Sequence, residues 1–121
     1  MINLSGRRIL VVEDSFYLAM DVARIIRDAD GEVVGPFHSA QDALKALVQS
    51  APDSALLDVN LGEGASFDVA HALNARSIPF VFFTGYDLSA IPGEFADVPR
   101  LEKPVADSRI VEMLHQQRRA H

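Results

Sequence analysis

The stretch that decides the fold is ILVVED at residues 9–14, an apolar run that ends in two carboxylates, Glu13 and Asp14. A second apolar run, ALLD at residues 55–58, ends in Asp58, and a third, FVFFT at residues 80–84, ends in Thr84. Short apolar runs separated by helix-like segments are typical of parallel strands buried on both faces. Because such a sheet collects its ligands beyond the carboxyl ends of its strands, we expect these polar groups to meet at one site.

The composition bounds the class of protein. With 121 residues, we expect residues 1–121 to form a single domain with a sizeable core. The net charge of −6 argues against nucleic acid or an anionic membrane as the principal partner. Cysteine is absent and no apolar stretch approaches the roughly 20 residues of a membrane span, so we expect a cytoplasmic protein.

The segments between the apolar runs have the periodicity of helices. Apolar residues at steps of three and four over residues 18–29 indicate a helix with one buried face. Ser39 is expected to begin a second helix that buries positions 43, 44, 47 and 48, and Ser66 to cap a third. A final helix is expected over residues 105–119.

Two weaker segments complete the sheet. Residues 32–37 are expected to form an edge strand because Gly35 and Pro36 interrupt the run, and residues 98–102 a brief fifth strand. A short or broken helix is expected over residues 87–99, where Pro92 and Gly93 fall in the middle. Five strands alternating with about five helices predict a doubly wound α/β sandwich with a parallel sheet.

The three acidic residues predict a metal site. Glu13, Asp14 and Asp58 carry too much negative charge to lie close together without a cation. Mg²⁺ is favoured because it takes one or two carboxylates and fills its other positions with water and phosphate oxygens. Zinc is disfavoured because the four histidines show no ligand spacing and have no cysteine partners.

A carboxylate beside a cation can attack phosphorus and form an acyl phosphate, and Asp58 is the predicted nucleophile. Lys103 and Thr84 are expected to bind the remaining phosphoryl oxygens, so that catalysis consists of positioning and charge neutralisation. Pro104 supports this placement, because a cis Lys103-Pro104 bond would turn the backbone and direct the lysine inward.

Five coordinated features resemble the receiver domain of two-component response regulators over essentially the whole chain: Glu13-Asp14, Asp58, Thr84, Lys103 and Pro104. The resemblance implies a flavodoxin-like fold with strand order 2-1-3-4-5. It implies that Asp58 accepts a phosphoryl group from a histidine kinase or histidine phosphotransfer protein. It also implies that Asp14, Asp58 and the backbone carbonyl of Asn60 bind Mg²⁺, with Glu13 acting through water. We expect a signalling switch, monomeric or weakly dimeric, rather than an enzyme.

Residues 82–86, FFTGY, further resemble the FATGUY subgroup of single-domain regulators, although Phe83 departs from the alanine usual there. A second departure is Arg100, three positions before the lysine, where most receivers carry an aromatic switch residue. We therefore expect Thr84 and Gly85 to pass the signal to Tyr86 and to residues 87–99.

Three other functions are weighed against this reading. A phosphatase of the haloacid-dehalogenase type usually places two aspartates two apart at the end of strand one, unlike Glu13-Asp14 with an isolated Asp58. A flavin-binding electron carrier would be expected to have hydroxyl-rich loops around the cofactor phosphate in place of these acidic residues. A receiver that only binds partners is disfavoured because every phosphorylation residue is present. The sequence leaves open whether the protein acts on an effector or drains phosphoryl groups, and whether an output domain follows His121.

Overall fold

The computed structural model describes residues 2–59, 65–85 and 91–117. Five parallel strands form one sheet in the order β2-β1-β3-β4-β5, which confirms the predicted architecture. The elements are β1 (Arg8–Val12), α1 (Phe16–Asp28), β2 (Glu32–Phe37), α2 (Ala40–Gln49), β3 (Ser54–Asp58), α3 (Ala65–Ala75), β4 (Phe80–Thr84), a short 3₁₀ turn (Gly93–Phe95), β5 (Arg100–Glu102) and α4 (Asp107–Gln116).

The sheet is covered on both faces because side chains alternate along the buried strands. In β1, Ile9 and Val11 pack into an aliphatic cluster with α1 and α4, while Leu10 and Val12 pack on the other face with α2 and α3. The second cluster is the aromatic one, and it contains Phe80, Phe82 and Phe95. This double burial explains why the central strands are uninterrupted apolar runs.

Strand β2 lies at the sheet edge, as its weak sequence pattern predicted. Its register with β1 shifts between Leu10 and Val12, and the Gly35-Pro36 bond is cis. Gly35 has φ +105, and a Cβ there would lie 2.8 Å from the backbone nitrogen of Phe37. Only glycine fits this position, and the irregularity is tolerated at an edge.

Of the two serines predicted to cap helices, one is a cap and the other is not. Ser39 caps α2, since its hydroxyl accepts a hydrogen bond from the amide of Asp42 at 3.2 Å. Ser66 is not a cap: it lies inside the first turn of α3, buried, and its hydroxyl donates to the carbonyl of Val59 at 2.6 Å. This hydroxyl therefore ties α3 to the end of β3.

The remaining boundaries are shorter than predicted. Val48 was expected to be buried but is 77% exposed, because α2 turns only positions 43 and 47 fully inward. Strand β5 begins at Arg100 instead of Val98, and α4 spans Asp107–Gln116. Of the predicted helix over 87–99, residues 87–90 lie outside the described part, and residues 91–99 contain only the 3₁₀ turn. No helix in the described ranges is long and apolar enough to cross a membrane.

Arg7 connects the beginning of β1 to the end of α4. Its Nη1 donates to the carbonyl oxygens of Leu114 at 3.1 Å, His115 at 2.8 Å and Gln117 at 3.2 Å. The last carbonyls of a helix have no partner within the helix, and a cation there also opposes the negative end of the helix dipole.

Candidate functional site

The polar groups that end the strands meet at the carboxyl edge of the sheet. Glu13 follows β1, Asp58 is the last residue of β3, and Thr84 is the last residue of β4. All three are buried, each about 2% exposed. Buried carboxylates require compensating charge or hydrogen bonds, so their surroundings determine what the site does.

Lys103 supplies the compensating charge. Its Nζ lies 2.9 Å from Glu13 Oε1 and 3.3 Å from Asp58 Oδ1. The same ammonium lies 5.0 Å from the centroid of the Phe83 ring, within the range of a cation–π contact. The backbone amide of Lys103 donates to the carbonyl of Thr84 at 2.7 Å, and the Lys103-Pro104 bond is cis. One lysine thus lies against all three strand ends.

The turn from β1 into α1 orients the carboxylates. The amide of Asp14 donates to Asp58 Oδ2 at 3.3 Å, and the amide of Ser15 donates to Glu13 Oε2 at 2.9 Å. Glu13 itself is anchored because its amide donates to the carbonyl of Phe37 at 2.9 Å. Asp58 therefore presents its carboxylate between a lysine and a backbone amide, beside the exposed side chain of Asp14.

The pKa values of Glu13 and Lys103 reflect two opposing effects, burial and the contact between opposite charges. Burial raises the pKa of Glu13, and the hydrogen bonds from Lys103 and the Ser15 amide only partly offset that effect, while Asp58 adds to it. Burial lowers the pKa of Lys103, but the two carboxylates outweigh it and the net shift is upward. Two carboxylates share one ammonium, so a further cation is electrostatically favoured.

The donor set fits a magnesium ion, although the described residues contain no ready-made group of three acidic, histidine or cysteine ligands. Glu13 faces Lys103 and the Ser15 amide, which leaves as candidate ligands Asp58 and the exposed carboxylate of Asp14, whose backbone amide contacts Asp58. Two carboxylates are as many as Mg²⁺ ordinarily takes from a protein. Asn60, whose carbonyl the sequence added to the set, lies outside the described residues, so the ligand set stays a prediction.

The hydroxyl of Thr84 lies buried at the end of β4. Its Oγ1 is buried and has no hydrogen-bond partner within residues 2–59, 65–85 and 91–117. Such atoms are rare in folded proteins, and a ligand oxygen is one explanation for them. Gly85, which is expected to pass the signal on together with Thr84, is partly buried. Tyr86, which is expected to receive it, lies outside the described residues.

Arg100 lies at the start of β5, in register with Phe82 of β4. Its Nη2 lies 3.4 Å from the carbonyl of Ala96, just after the 3₁₀ turn. The residue is partly buried, so its long side chain runs along the surface of this connection. The structure places it beside the segment that was expected to carry the signal.

The sequence interpretation missed two residues at the site. Ser15 accepts a hydrogen bond from Leu18 as the cap of α1, a role that a serine before a helical pattern indicates. His38 Nδ1 lies 3.1 Å from the carbonyl of Glu13, and its ring packs 5.7 Å from that of Phe16. His38 lies in a loop between β2 and α2, where no sequence periodicity would indicate it.

The fold and the site define an α/β receiver, and comparison with known proteins agrees. Residues 9–115 match the family described as the response regulator receiver domain, and the chain belongs to this family. It is thus a signalling module of two-component systems. Membership of this family argues against the haloacid-dehalogenase and flavin alternatives.

Individual relatives are similar to the chain at different lengths. Sensory transduction protein LytT of Bacillus cereus is 34% identical over 112 residues, 88% of this chain and 45% of the relative. The chain thus spans about half the length of the curated relatives it matches.

Two solved structures are similar over nearly their full length. The solution structure of SdrG from Sphingomonas melonis Fr1 is 37% identical with a TM-score of 0.78, covering 94% of this chain and 96% of that one. The BeF3-activated conformation of SdrG from Pseudomonas melonis Fr1 is also 37% identical, with a TM-score of 0.78 and coverage of 91% and 94%. The likeness therefore extends to a receiver that has an activated form.

Proposed function

We propose that the chain is a phosphoacceptor receiver in which Asp58 takes a phosphoryl group from a histidine kinase or histidine phosphotransfer protein. The observation that carries this proposal is the setting of Asp58, whose buried carboxylate lies between Lys103 Nζ at 3.3 Å and the Asp14 amide at 3.3 Å. The BeF3-activated form of the similar SdrG adds support, because BeF3 resembles a phosphoryl group.

The chemistry follows from these contacts. A carboxylate oxygen of Asp58 attacks phosphorus, the bond from phosphorus to the donor histidine nitrogen breaks, and an acyl phosphate forms. Lys103 exchanges part of its contact with Glu13 and Asp58 for phosphoryl oxygens, and the Thr84 hydroxyl donates to another of them. Attack of water on the acyl phosphate later releases inorganic phosphate and restores Asp58.

Asp14, Asp58 and the backbone carbonyl of Asn60 would hold Mg²⁺, with Glu13 acting through water, and the bound ion would neutralise charge on the phosphoryl oxygens. The protein residues already orient the nucleophile without it. The Asp58 carboxylate accepts a hydrogen bond from the Asp14 amide, and the Glu13 carboxylate accepts one from the Ser15 amide at 2.9 Å. The carboxylates thus stay in place while the phosphoryl group arrives.

The first turns of α1 offer a surface for the phosphodonor protein. Phe16, Tyr17 and Met20 are 59%, 85% and 54% exposed and lie within six residues after Asp14. Exposed large apolar side chains in one patch favour contact with another protein. We further propose that residues 1–121 form one receiver domain, monomeric or weakly dimeric, whose partner-binding surface changes on phosphorylation.

The FATGUY-type subgroup remains part of this proposal. The sequence FFTGY at residues 82–86 supports it, as does the similarity to SdrG. Phe83, in place of the usual alanine, is buried in the aliphatic cluster and lies under the Lys103 ammonium. In this proposal Thr84 and Gly85 bias Tyr86 and residues 87–99, and unchanged amide spectra of residues 91–99 on BeF3 addition would contradict it.

The deciding experiment incubates the protein with acetyl phosphate and Mg²⁺ and follows the phosphoryl adduct by intact mass. We expect an adduct on the wild type and none on Asp58→Asn. The matched control is Asp68→Asn, an exposed acid in the first turn of α3, which should keep the adduct. Failure of the wild type with acetyl phosphate and with a phosphorylated histidine phosphotransfer protein would favour the receiver that only binds partners.

A further inference from the structure

A groove of about 480 Å³ lies between the amino-terminal segment, α1 and α4. Its apolar side chains are Ile2, Ile25, Ala29 and Val111, and its charged ones are Arg24, Asp28, Asp30, Asp107 and Glu112. None of the residues proposed for phosphorylation lines it. The groove is therefore separate from the site at Asp58, and its occupant need not carry a phosphoryl group.

The apolar part of the groove is accessible. Ile2 is half-exposed, Val111 is partly buried, and Ile25 is buried below them as part of the aliphatic cluster. Covering such side chains with another apolar group is favourable because it removes their surface from water. The volume suits one large apolar side chain with its neighbouring backbone.

The charged part of the groove is mostly negative. Four carboxylates face one guanidinium, that of Arg24, which already contacts Asp21 at 2.7 Å, Asp28 at 3.2 Å and Asp107 at 3.4 Å. These residues are all more than half exposed, so their mutual contacts are weak and exchangeable. An incoming cation can thus pair with Asp28 or Asp107 while Arg24 keeps Asp21.

We propose that this groove binds a short segment of a partner protein in which one large apolar side chain is flanked by arginine or lysine residues. The apolar floor takes the apolar side chain and the carboxylates take the basic flanks, so the two kinds of contact reinforce each other. An anionic ligand would be repelled by the same carboxylates. A bound metal ion is disfavoured because the described residues contain no group of three acidic, histidine or cysteine ligands.

The test uses a synthetic peptide with one tryptophan between two pairs of arginines, titrated into ¹⁵N-labelled protein without any phosphoryl donor. We expect amide shifts confined to the groove, a peptide with glutamates in place of the arginines to give none, and one with serine in place of tryptophan to bind less. Shifts centred elsewhere would overturn the proposal. Because no phosphoryl donor is present, the result is independent of phosphorylation at Asp58.

Paired variants separate the groove from the general negative charge. Asp28→Asn with Asp107→Asn should weaken peptide binding about tenfold, the effect of losing two exposed charge pairs. Asp42→Asn with Asp68→Asn removes the same charge from exposed positions on α2 and α3 and should weaken it less than about twofold. Equal weakening by both pairs would overturn the proposal.

The apolar contact has its own control. Ile2→Ser should weaken peptide binding several-fold, whereas Val48→Ser, which alters an exposed apolar side chain on α2, should not. If spermine at the same charge concentration gives the same shifts, the groove takes any cation and the proposal is wrong. It is equally wrong if the groove shifts depend on protein concentration alone, because a second copy would then be the occupant.

Discussion

Two regions beside the sheet, called here the acidic half and the aromatic half, are held by different forces. In the acidic half, comprising Glu13, Asp58 and Lys103, one ammonium contacts two buried carboxylates. In the aromatic half, residues 91–100, the buried ring of Phe95 stacks on Phe67 at 5.9 Å and lies 5.8 Å from Phe82. Charge holds one half and apolar packing holds the other.

This difference separates the capture of a phosphoryl group from its consequences. A phosphoryl group adds charge, so it directly competes for the contacts of Lys103. The rings of Phe67, Phe82 and Phe95 carry no charge, so we expect the event to reach them through the ends of β3 and β4, where Ser66 bonds to Val59 and Thr84 has a buried hydroxyl with no partner in the described ranges. Substitutions in the acidic half should therefore affect both stability and phosphorylation, whereas those in the aromatic half should affect mainly stability.

Phe95→Ala should have the largest effect on stability. Removing a fully buried ring costs about 3–5 kcal/mol of the free energy of unfolding, because it leaves a cavity among packed aromatic side chains. Urea unfolding measures the loss. Phe16→Ala, which truncates an exposed ring, is the control and should cost less than about 1 kcal/mol. Similar losses for both variants would show that packing does not hold the aromatic half.

Lys103→Met should come second. It leaves two buried carboxylates without their ammonium, and we expect a loss of about 2 kcal/mol at neutral pH, reduced from a fully buried pair because the lysine is partly exposed. Without the lysine the pKa of Glu13 rises further in the folded state, so the loss should shrink as the pH falls and the carboxylate takes up a proton.

Urea unfolding at two pH values measures this prediction. Lys45→Met, at an exposed position of α2, is the matched control and should leave stability unchanged within about 0.5 kcal/mol. A loss that does not depend on pH would contradict the assignment of this stabilisation to the contact between the Lys103 ammonium and the Glu13 carboxylate.

Thr84→Val should change stability little while changing the response to a phosphoryl mimic. Since Oγ1 has no partner in the described ranges, the methyl group replaces an unsatisfied hydroxyl, and we expect a gain of up to about 1 kcal/mol. Amide shifts on BeF3 addition should shrink over residues 91–99. The control is Ser54→Ala, which removes another buried hydroxyl without a partner in the described ranges. Ser54 begins β3, at the end of the strand opposite Asp58, so this variant should leave those shifts intact.

Arg100→Gln should have the smallest effect. The contact from Arg100 to Ala96 is long, at 3.4 Å, and exposed, so stability should change by less than about 0.5 kcal/mol in urea unfolding. Adduct formation from acetyl phosphate should also persist, because the residue does not belong to the acidic half. A loss of adduct would place Arg100 in the capture of the phosphoryl group and erase the distinction between the halves.

The acidic half could be predicted from sequence because each of its residues lies where a strand ends. Asp58 and Thr84 close apolar runs, and in a parallel sheet the strand ends fall at one edge. The edge position of β2 followed from Gly35 and Pro36 for an equally local reason. The parallel topology of the sheet therefore brings residues that are distant in sequence to the same edge.

The errors arose where tertiary contacts override local pattern. Val48 matches the helical periodicity but is exposed, since α2 buries Ala43 and Leu47 and packs Leu44 partly against the same cluster. Ser66 resembles a cap, yet its hydroxyl donates to the carbonyl of Val59 at the end of β3. The groove lined by Ile2, Asp28 and Asp107 joins three separate parts of the chain, so no single segment of sequence indicates it.

The contacts of Arg7 with the last turn of α4 join residues 107, 108 and 110 positions apart. Closing a loop of this length costs conformational entropy, so we expect these contacts to persist only while the rest of the fold holds the two ends together. Hydrogen exchange at the amides of that last turn should therefore follow global unfolding more closely than its place near the end of a helix suggests. Because of Arg7, the exchange rate of amides in the last turn of α4 would thus report how cooperatively the whole domain unfolds.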